Sequence, residues 1–209
     1  MGATVVLADD HALVRQGLAA LLEREGFTVL GQAADGQEAV RLAQRLTPEV
    51  IVLDISMPLF NGLNAAMELA RTCPRVRIVL LTRHDESQYV SEALRNGVRG
   101  YVLKTQAATD LVHAIREVCR GKVYLSPGIS AAVADAYGSP ARATETLSVR
   151  ERQVLQLIAE GKTTRDIAGQ MNVSVKTIES HRTKLMQKLD IHEIAGLVRY
   201  AIRNGMVQP

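Results

Sequence analysis

An α/β domain followed by an all-α domain is the fold class that the sequence predicts, and two observations carry it. Between residue 4 and about residue 120, five short apolar runs alternate with amphipathic stretches, the grammar of a doubly wound parallel sheet. From Leu147 onward the apolar spacing is helical throughout, broken only by short polar turns. A length of 209 residues allows each half to bury its own core. The predicted organisation is a five-stranded parallel (βα)5 domain over residues 1–121, a linker with one short helix over 122–146, and a four-helix domain over 147–209.

The strands are predicted at Thr4–Ala8, Thr28–Ala33, Val50–Asp54, Arg77–Leu81 and Gly100–Leu103. Val50-Ile51-Val52-Leu53 and Ile78-Val79-Leu80-Leu81 are continuously apolar, as strands are where helices cover both faces of a parallel sheet. Val14, Leu18, Leu21 and Leu22 recur at helical spacing and predict one buried stripe. Similar stripes run through Glu38–Arg45, Leu63–Ala70, Tyr89–Leu94 and Leu111–Val118. In the linker, Ser126-Pro127-Gly128 and Gly138-Ser139-Pro140 bracket an Ala-rich stretch, Ile129–Tyr137. Proline just inside a serine cap predicts a short helix there.

In the second half, Ser148 with Glu151 forms a capping box that opens a helix to Glu160, and Gly161 stops it. Thr163 with Asp166 opens a second helix, ending near Met171. Asn172-Val173-Ser174 makes a tight turn, and Ser174 caps a third helix running to about Leu189. A fourth spans roughly Glu193–Asn204 and ends at Gly205. Two short helices about a tight turn, the second longer and basic, follow the helix-turn-helix pattern.

Composition excludes several classes. No apolar run approaches the ~20 residues of a membrane span, and Met1-Gly2-Ala3-Thr4 enters a strand-like run without the basic start of a secretory signal. Cys73 and Cys119 are far apart and in no metal spacing. They read as buried thiols of a reducing cytoplasm, against disulfide scaffolds and zinc fingers. Residues 123–209 hold 11 Lys/Arg against 8 Asp/Glu, whereas residues 1–122 balance at 14 and 14. The net charge of +3 thus sits entirely in the second half, which points to an acidic partner for that half.

Ligands of a doubly wound sheet gather at the C-terminal ends of its strands. Those ends carry Asp9-Asp10, Asp54, Thr82 and Lys104. Carboxylates converging on one crevice repel and call for a cation, and hard oxygen ligands suit Mg²⁺. Lys104 and Thr82 supply a positive charge and a hydroxyl suited to a phosphoryl group. A carboxylate beside them can act as nucleophile towards phosphorus. Any one of these residues could simply punctuate a strand end; five at consecutive ends argue for chemistry.

On the third helix of the second half, Val175, Ile178, Leu185, Met186 and Leu189 share one arc. Lys176, Ser180, Thr183, Lys184 and Gln187 occupy the other, with Thr177, His181 and Lys188 at its margin. Short hydroxyls with lysines suit a major groove and its flanking phosphates. Arg182 falls inside the apolar arc, and its expected partner is Glu151; the alternative is a phosphate reached by snorkelling. The last helix offers Ile194, Leu197, Val198, Ala201 and Ile202, more apolar surface than closing four helices needs.

Asp9-Asp10, then Asp54-Ile55-Ser56-Met57-Pro58 with Gly62, then Thr82, then Tyr101 three residues before Lys104, together resemble a response-regulator receiver domain. Residues 147–209 resemble the LuxR/FixJ/NarL-type helix-turn-helix through Leu147-Ser148-Val149-Arg150-Glu151-Arg152, Val154-Leu155, Gly161 and Val175-Lys176-Thr177-Ile178-Glu179-Ser180-His181. The resemblance implies that Asp54 accepts a phosphoryl group from a partner histidine kinase. Asp10 and Asp54 would bind Mg²⁺ directly, Asp9 through water, and Ser56 through its backbone carbonyl. Lys104 would pair with the phosphoryl oxygens, and Thr82 would move towards them while Tyr101 turns inward.

Glu179, Ser180 and Thr183 match groove-facing positions of the family, and the last helix matches its dimer contact, the alternative being a helix that only closes the core. The implied function is a cytoplasmic transcription factor binding double-stranded DNA as a homodimer when phosphorylated or on DNA, and touching RNA polymerase. Arg83 stands where many receivers have a small residue, Thr105 where many have proline, and Ser56 and His84 at positions that tune phosphoryl lifetime. A phosphohydrolase using Asp54 would need a second Asp two residues on, where Ser56 stands. Asp9-Asp10-His11-Ala12 occupies the place of a dinucleotide-binding glycine turn. A regulator with a vestigial, phosphorylation-independent receiver is the remaining alternative.

Overall fold

The computed structural model describes residues 2–82, 93–94, 97–127, 129, 147–203 and 206–207. It divides into two compact units, Met1–Ser139 and Pro140–Pro209.

The first unit is built on β1 (Thr4–Ala8), β2 (Thr28–Ala33), β3 (Val50–Asp54), β4 (Arg77–Thr82), β5 (Gly100–Leu103) and β6 (Tyr124–Leu125). All pairings are parallel, in the order β2-β1-β3-β4-β5-β6. The sheet thus has six strands rather than the predicted five. The extra one is two residues long, too short for any alternation to announce it, and it lies where the linker was expected. β1, β3, β4 and β5 are almost wholly buried, as their continuous apolar runs require.

Helix α1 (Ala12–Arg24) and helix α4 (Ala107–Cys119) share one core with alternate strand residues, among them Val5, Leu7, Val52, Val79 and Leu81. Helices α2 (Gly36–Leu46) and α3 (Gly62–Thr72) pack on each other. Their starts are fixed by side chains: Asp35 accepts from the Glu38 N–H at 2.8 Å, and Asn61 from the Asn64 N–H at 2.9 Å, satisfying donors that a helix start leaves open. The α1 stripe differs from the prediction. Leu18, Ala19 and Leu22 are buried, but Val14 is exposed beside Leu13, because the first turn belongs to the rim of the sheet rather than to its covered face. Cys73 and Cys119 are free thiols and only half-buried.

The second unit comprises α5 (Val149–Ala159), α6 (Thr164–Met171), α7 (Val175–Leu189) and α8 (Ile194–Arg203). The predicted capping box of Ser148 with Glu151 is formed, and Thr163 with Asp166, the predicted opening of the next helix, forms a second. Asn172 turns the chain at φ +56° between α6 and α7, a conformation asparagine tolerates better than most residues. Helix α5 is the centre of this unit and packs against α7 and α8. It is buried along most of its length, including Glu151, Arg152, Gln153 and Gln156. The predicted arc of α7 is narrower than expected: Ile178 and Leu185 are buried, whereas Val175, in the first turn, is exposed. The helix expected over Tyr89–Leu94 lies outside the described residues except for Ala93 and Leu94, and so do most of the linker helix, Arg83, His84 and Gly205.

Candidate functional site

The strand order reverses between β1 and β3, so a crevice opens beyond their C-terminal ends. Asp9 and Asp10 follow β1, Asp54 ends β3, Thr82 ends β4, and Lys104 follows β5. The fold therefore brings all five predicted residues to one rim. Ligand atoms of Asp9, Asp10, His11 and Asp54 lie within 4.8 Å of one another. Asp9 and Asp54 are each 1% exposed, and Asp10 stands more open at the mouth.

Lys104 is the cation that makes this acid cluster tenable. Its Nζ lies 2.7 Å from Asp54 Oδ2 and 2.9 Å from Asp9 Oδ2. The contact to Asp9 is a hydrogen bond, whereas buried Asp54 Oδ2 has no aligned donor among the described residues. Asp54 Oδ1 accepts from the Ser56 N–H at 3.2 Å, and Asp9 Oδ1 from the His11 N–H at 2.8 Å. Burial raises the Asp54 pKa to about 6, outweighing the attraction of Lys104. Burial would lower the Lys104 ammonium, but Asp54 and Asp9 overcome it and hold the group above its ordinary value. Near neutral pH the pocket thus contains an ionised, poorly solvated carboxylate beside a firmly protonated lysine.

Thr82 is buried at the end of β4, in register with Leu103, and Tyr101 on β5 is wholly buried. Two neighbours were not foreseen. His11 Nδ1 lies 2.7 Å from Asp10 Oδ1, and the Arg15 guanidinium donates to the Asp9 carbonyl. Adjacency to the acid pair was the available signal for His11; the Arg15 contact has none, since it depends on how α1 leaves β1.

A tight β3–α3 loop holds the acceptor in place. The Gly62 N–H donates to the Ile55 carbonyl at 3.0 Å. A Cβ on Gly62 would lie 2.1 Å from the Asp54 carbonyl oxygen, so glycine at this position is a steric requirement of the end of β3.

In the second unit, the Ser174 side chain accepts from the Thr177 N–H at 3.1 Å, starting α7. Lys176, Glu179, Ser180, Thr183 and Lys184 are exposed on α7, with Thr177 and His181 half-buried at the margin. Thr183 Oγ1 donates to the Glu179 carbonyl at 3.0 Å, and the Ser174 and Thr177 hydroxyls lie 2.8 Å apart. Lys188 is engaged differently from the prediction: its Nζ lies 2.8 Å from Glu151 Oε2, tying α7 to α5. The expected Arg182–Glu151 pair is therefore replaced. Arg182 and Lys188 lie six residues apart on one helix, and a helical wheel cannot decide which of them reaches the cap of α5.

Glu151 serves both as capping-box acid and as ion-pair partner. Burial pushes its carboxyl up, but Lys188 and the Ser148 N–H together hold it below the ordinary value of 4.5. Its stabilisation is thus complete above that ordinary value and is lost as pH falls through the lower folded-state value. Glu151→Ala is expected to cost about 2 kcal/mol at neutral pH, combining a lost cap with a broken pair whose lysine is partly exposed. Urea unfolding of the full chain at pH 7 and pH 4 checks this, with a smaller difference between variant and wild type in acid.

A crossover sheet with an acid–lysine pocket, followed by a capped helix-turn-helix, defines a phosphorylation-sensing module joined to a DNA reader. Comparison with known proteins agrees: the response regulator receiver domain model matches residues 5–116, and the model of bacterial regulatory proteins of the luxR family matches residues 145–201. The chain belongs to the two-component response regulators with a LuxR-type DNA-binding domain. It is 37% identical to the oxygen regulatory protein NreC of Staphylococcus carnosus, over 97% of this chain and 98% of that one. It is 36% identical to the transcriptional regulatory protein LiaR of Bacillus subtilis, over 97% and 98%. Among solved structures it resembles RcsB from Salmonella enterica serovar Typhimurium, bound to promoter rprA in the presence of phosphomimetic BeF3-, at TM-score 0.66 and 29% identity over 96% of this chain and 98% of that one. The chain is thus a DNA-binding transcriptional regulator of the phosphorylation-switched kind. Among the described residues, no helix is long and apolar enough to cross a membrane.

Proposed function

We propose that Asp54 is the phosphoacceptor and that its phosphorylation controls how α7 engages DNA. The observation that carries this is the Asp54 carboxylate, 1% exposed at the end of β3 with Lys104 2.7 Å away. An Asp54 oxygen attacks the phosphorus of a phosphohistidine on a sensor kinase. The new P–O bond forms as the P–N bond breaks, and the released imidazole takes up a proton. The later reversal is attack by water, returning Asp54 and inorganic phosphate. The chain's turnover is confined to this loading and unloading of its own side chain.

The acid cluster fits a divalent cation of the Mg²⁺ class. Its carboxylate oxygens from Asp9, Asp10 and Asp54 are hard donors within 4.8 Å of one another, and buried Asp54 Oδ2 lacks an aligned donor among the described residues. Asp10 and Asp54 would hold the ion directly, Asp9 through water, and Ser56 through its carbonyl. Such an ion neutralises charge building on the phosphoryl oxygens. Lys104 then turns from the two aspartates to the phosphoryl group. Thr82 donates its hydroxyl to that group, and Tyr101 follows on the neighbouring strand, giving a two-state element biased by a charge of about −2.

On the output side, Lys176, Glu179, Ser180, Thr183 and Lys184 would face the groove, with Thr177 and His181 at its edge. Lys188 reaches a phosphate only by leaving Glu151. The half-buried Val198 and Ile202 and exposed Ile194 of α8 suit a contact between two copies on adjacent half-sites. The structure of RcsB bound to promoter rprA in the presence of phosphomimetic BeF3- supports this reading.

The test is selection of bound duplexes from a random pool, followed by titration of the selected site with and without beryllofluoride and Mg²⁺. Tighter binding with the mimic is expected; identical isotherms would reduce the receiver to a passive attachment. Lys184→Ala is expected to weaken binding across sequences and lower the salt slope by about one unit. Affinity measured over a range of potassium concentrations checks it, and equal slopes would remove Lys184 from the phosphate contacts.

A further inference from the structure

Ser126 is completely buried, although it stands where the chain leaves the receiver. Its N–H donates to the Tyr101 carbonyl at 2.9 Å, and its Oγ accepts from the Leu103 N–H at 3.2 Å. Its hydroxyl proton goes to Asp110 Oδ2 at 2.7 Å. Strand β6 pairs only with Gly100 and Tyr101, so the Ser126 side chain supplies the rung that a third strand residue would have made. The Ile129 N–H donates to the Ser126 carbonyl at 2.8 Å, beginning the next turn.

Asp110 is well placed to receive that proton. It sits in the first turn of α4, where the open N–H groups favour a carboxylate. Tyr124 of β6 leans on the same acid: burial first, and then the Asp110 charge, push its phenol up. His113 packs edge-on against the Tyr124 ring at 5.3 Å. One serine therefore joins three parts, namely the end of β5, the start of α4 and the departing chain. Leu103, which it holds, is bonded directly to Lys104, the cation shared by Asp9 and Asp54.

We propose that Ser126 and Asp110 are positioning residues that carry the state of the phosphorylation pocket into the chain leading to the helix-turn-helix. The inference rests on the phosphorylation reading above. When Lys104 turns to the phosphoryl oxygens, the end of β5 moves with it, and Ser126 moves because it is bonded to both Tyr101 and Leu103. Without the serine hydroxyl, residue 126 keeps its main-chain bond to Tyr101 but loses its hold on Leu103 and Asp110, so a shift at the end of β5 is passed on less fully.

The experiment compares full-length wild type, Ser126→Ala, Asp110→Ala and Asp110→Asn. Fluorine NMR of bound beryllofluoride reads the pocket, and DNA titration with and without saturating mimic reads the output. Thermal melts verify folding; Asp110→Ala, at a half-buried position, keeps the test open if Ser126→Ala does not fold. Wild type is expected to gain about tenfold in affinity with the mimic. Ser126→Ala and Asp110→Ala are expected to bind the mimic equally well but gain less than twofold, a ratio that a merely structural role would leave unchanged. Asp110→Asn keeps an acceptor for the serine and should recover the wild-type ratio. A full response in the alanine variants overturns the latch and leaves the phosphorylation reading intact. Loss of mimic binding in those variants also overturns it, since the pair would then act on the pocket itself. No response in wild type removes both.

Discussion

Asp54→Ala is expected to abolish the response completely: no phosphoryl mass increment with a small-molecule donor and Mg²⁺, and identical DNA isotherms with and without beryllofluoride. The expectation follows from geometry rather than from the motif alone. Asp10 stands at the open mouth, and Asp9 is committed to both Lys104 and the His11 N–H. Among the described residues, Asp54 alone of the three combines near-complete burial with an oxygen, 2.7 Å from the Lys104 ammonium, that lacks an aligned hydrogen-bond donor. The variant should remain folded, because Lys104 keeps its 2.9 Å hydrogen bond to Asp9. Intact-mass spectrometry and a thermal melt on one sample separate loss of the acceptor from loss of the fold. Phosphorylation persisting on Asp9 or Asp10 would contradict the assignment.

Gly62→Ala is expected to be strongly destabilising. Its methyl group would meet backbone, the Asp54 carbonyl oxygen at 2.1 Å and the carbonyl carbon at 2.8 Å, so relief requires moving β3 itself. A cost of about 3 kcal/mol is expected, the upper end for overpacking. That corresponds to a fall of roughly 10 °C in melting temperature. Gly17→Ala provides the contrast. Gly17 lies inside α1 with nothing within 4 Å of an added Cβ, so the same chemical change should stabilise by roughly 0.5–1 kcal/mol through helix propensity. Calorimetry of both variants gives opposite signs if the loop packing is as described. A Gly62→Ala melt equal to wild type would mean that the β3–α3 loop has slack.

Strands β1 to β5 and the four helices of the second unit were legible because their signals are local. Continuous apolar runs marked the covered strands, and Ser148/Glu151 and Thr163/Asp166 announced helix starts through a three-residue spacing that needs no tertiary information. The pocket was legible too, since parallel topology gathers strand ends whatever the details of packing. What failed to show depended on partners distant in sequence. Val14 and Val175 continue apolar stripes correctly, but periodicity does not reveal that each helix's first turn projects past its partner. Glu151 needed a basic residue from α7, and only the crossing of α5 and α7 selects Lys188 over Arg182. Gln153 and Gln156, polar and buried in α5, look like surface residues in any window. Strand β6 exists because β5 is there to pair with it.

That sixth strand also bears on solubility. Without it β5 would be the outermost strand, a row of unsatisfied main-chain groups flanked by the buried side chains Tyr101, Val102 and Leu103, the kind of exposed template through which chains stick together. Two residues and a serine hydroxyl shield that edge. A receiver cut at residue 121 would therefore be prone to self-association through β5, whereas one extended to residue 129 would keep its border covered.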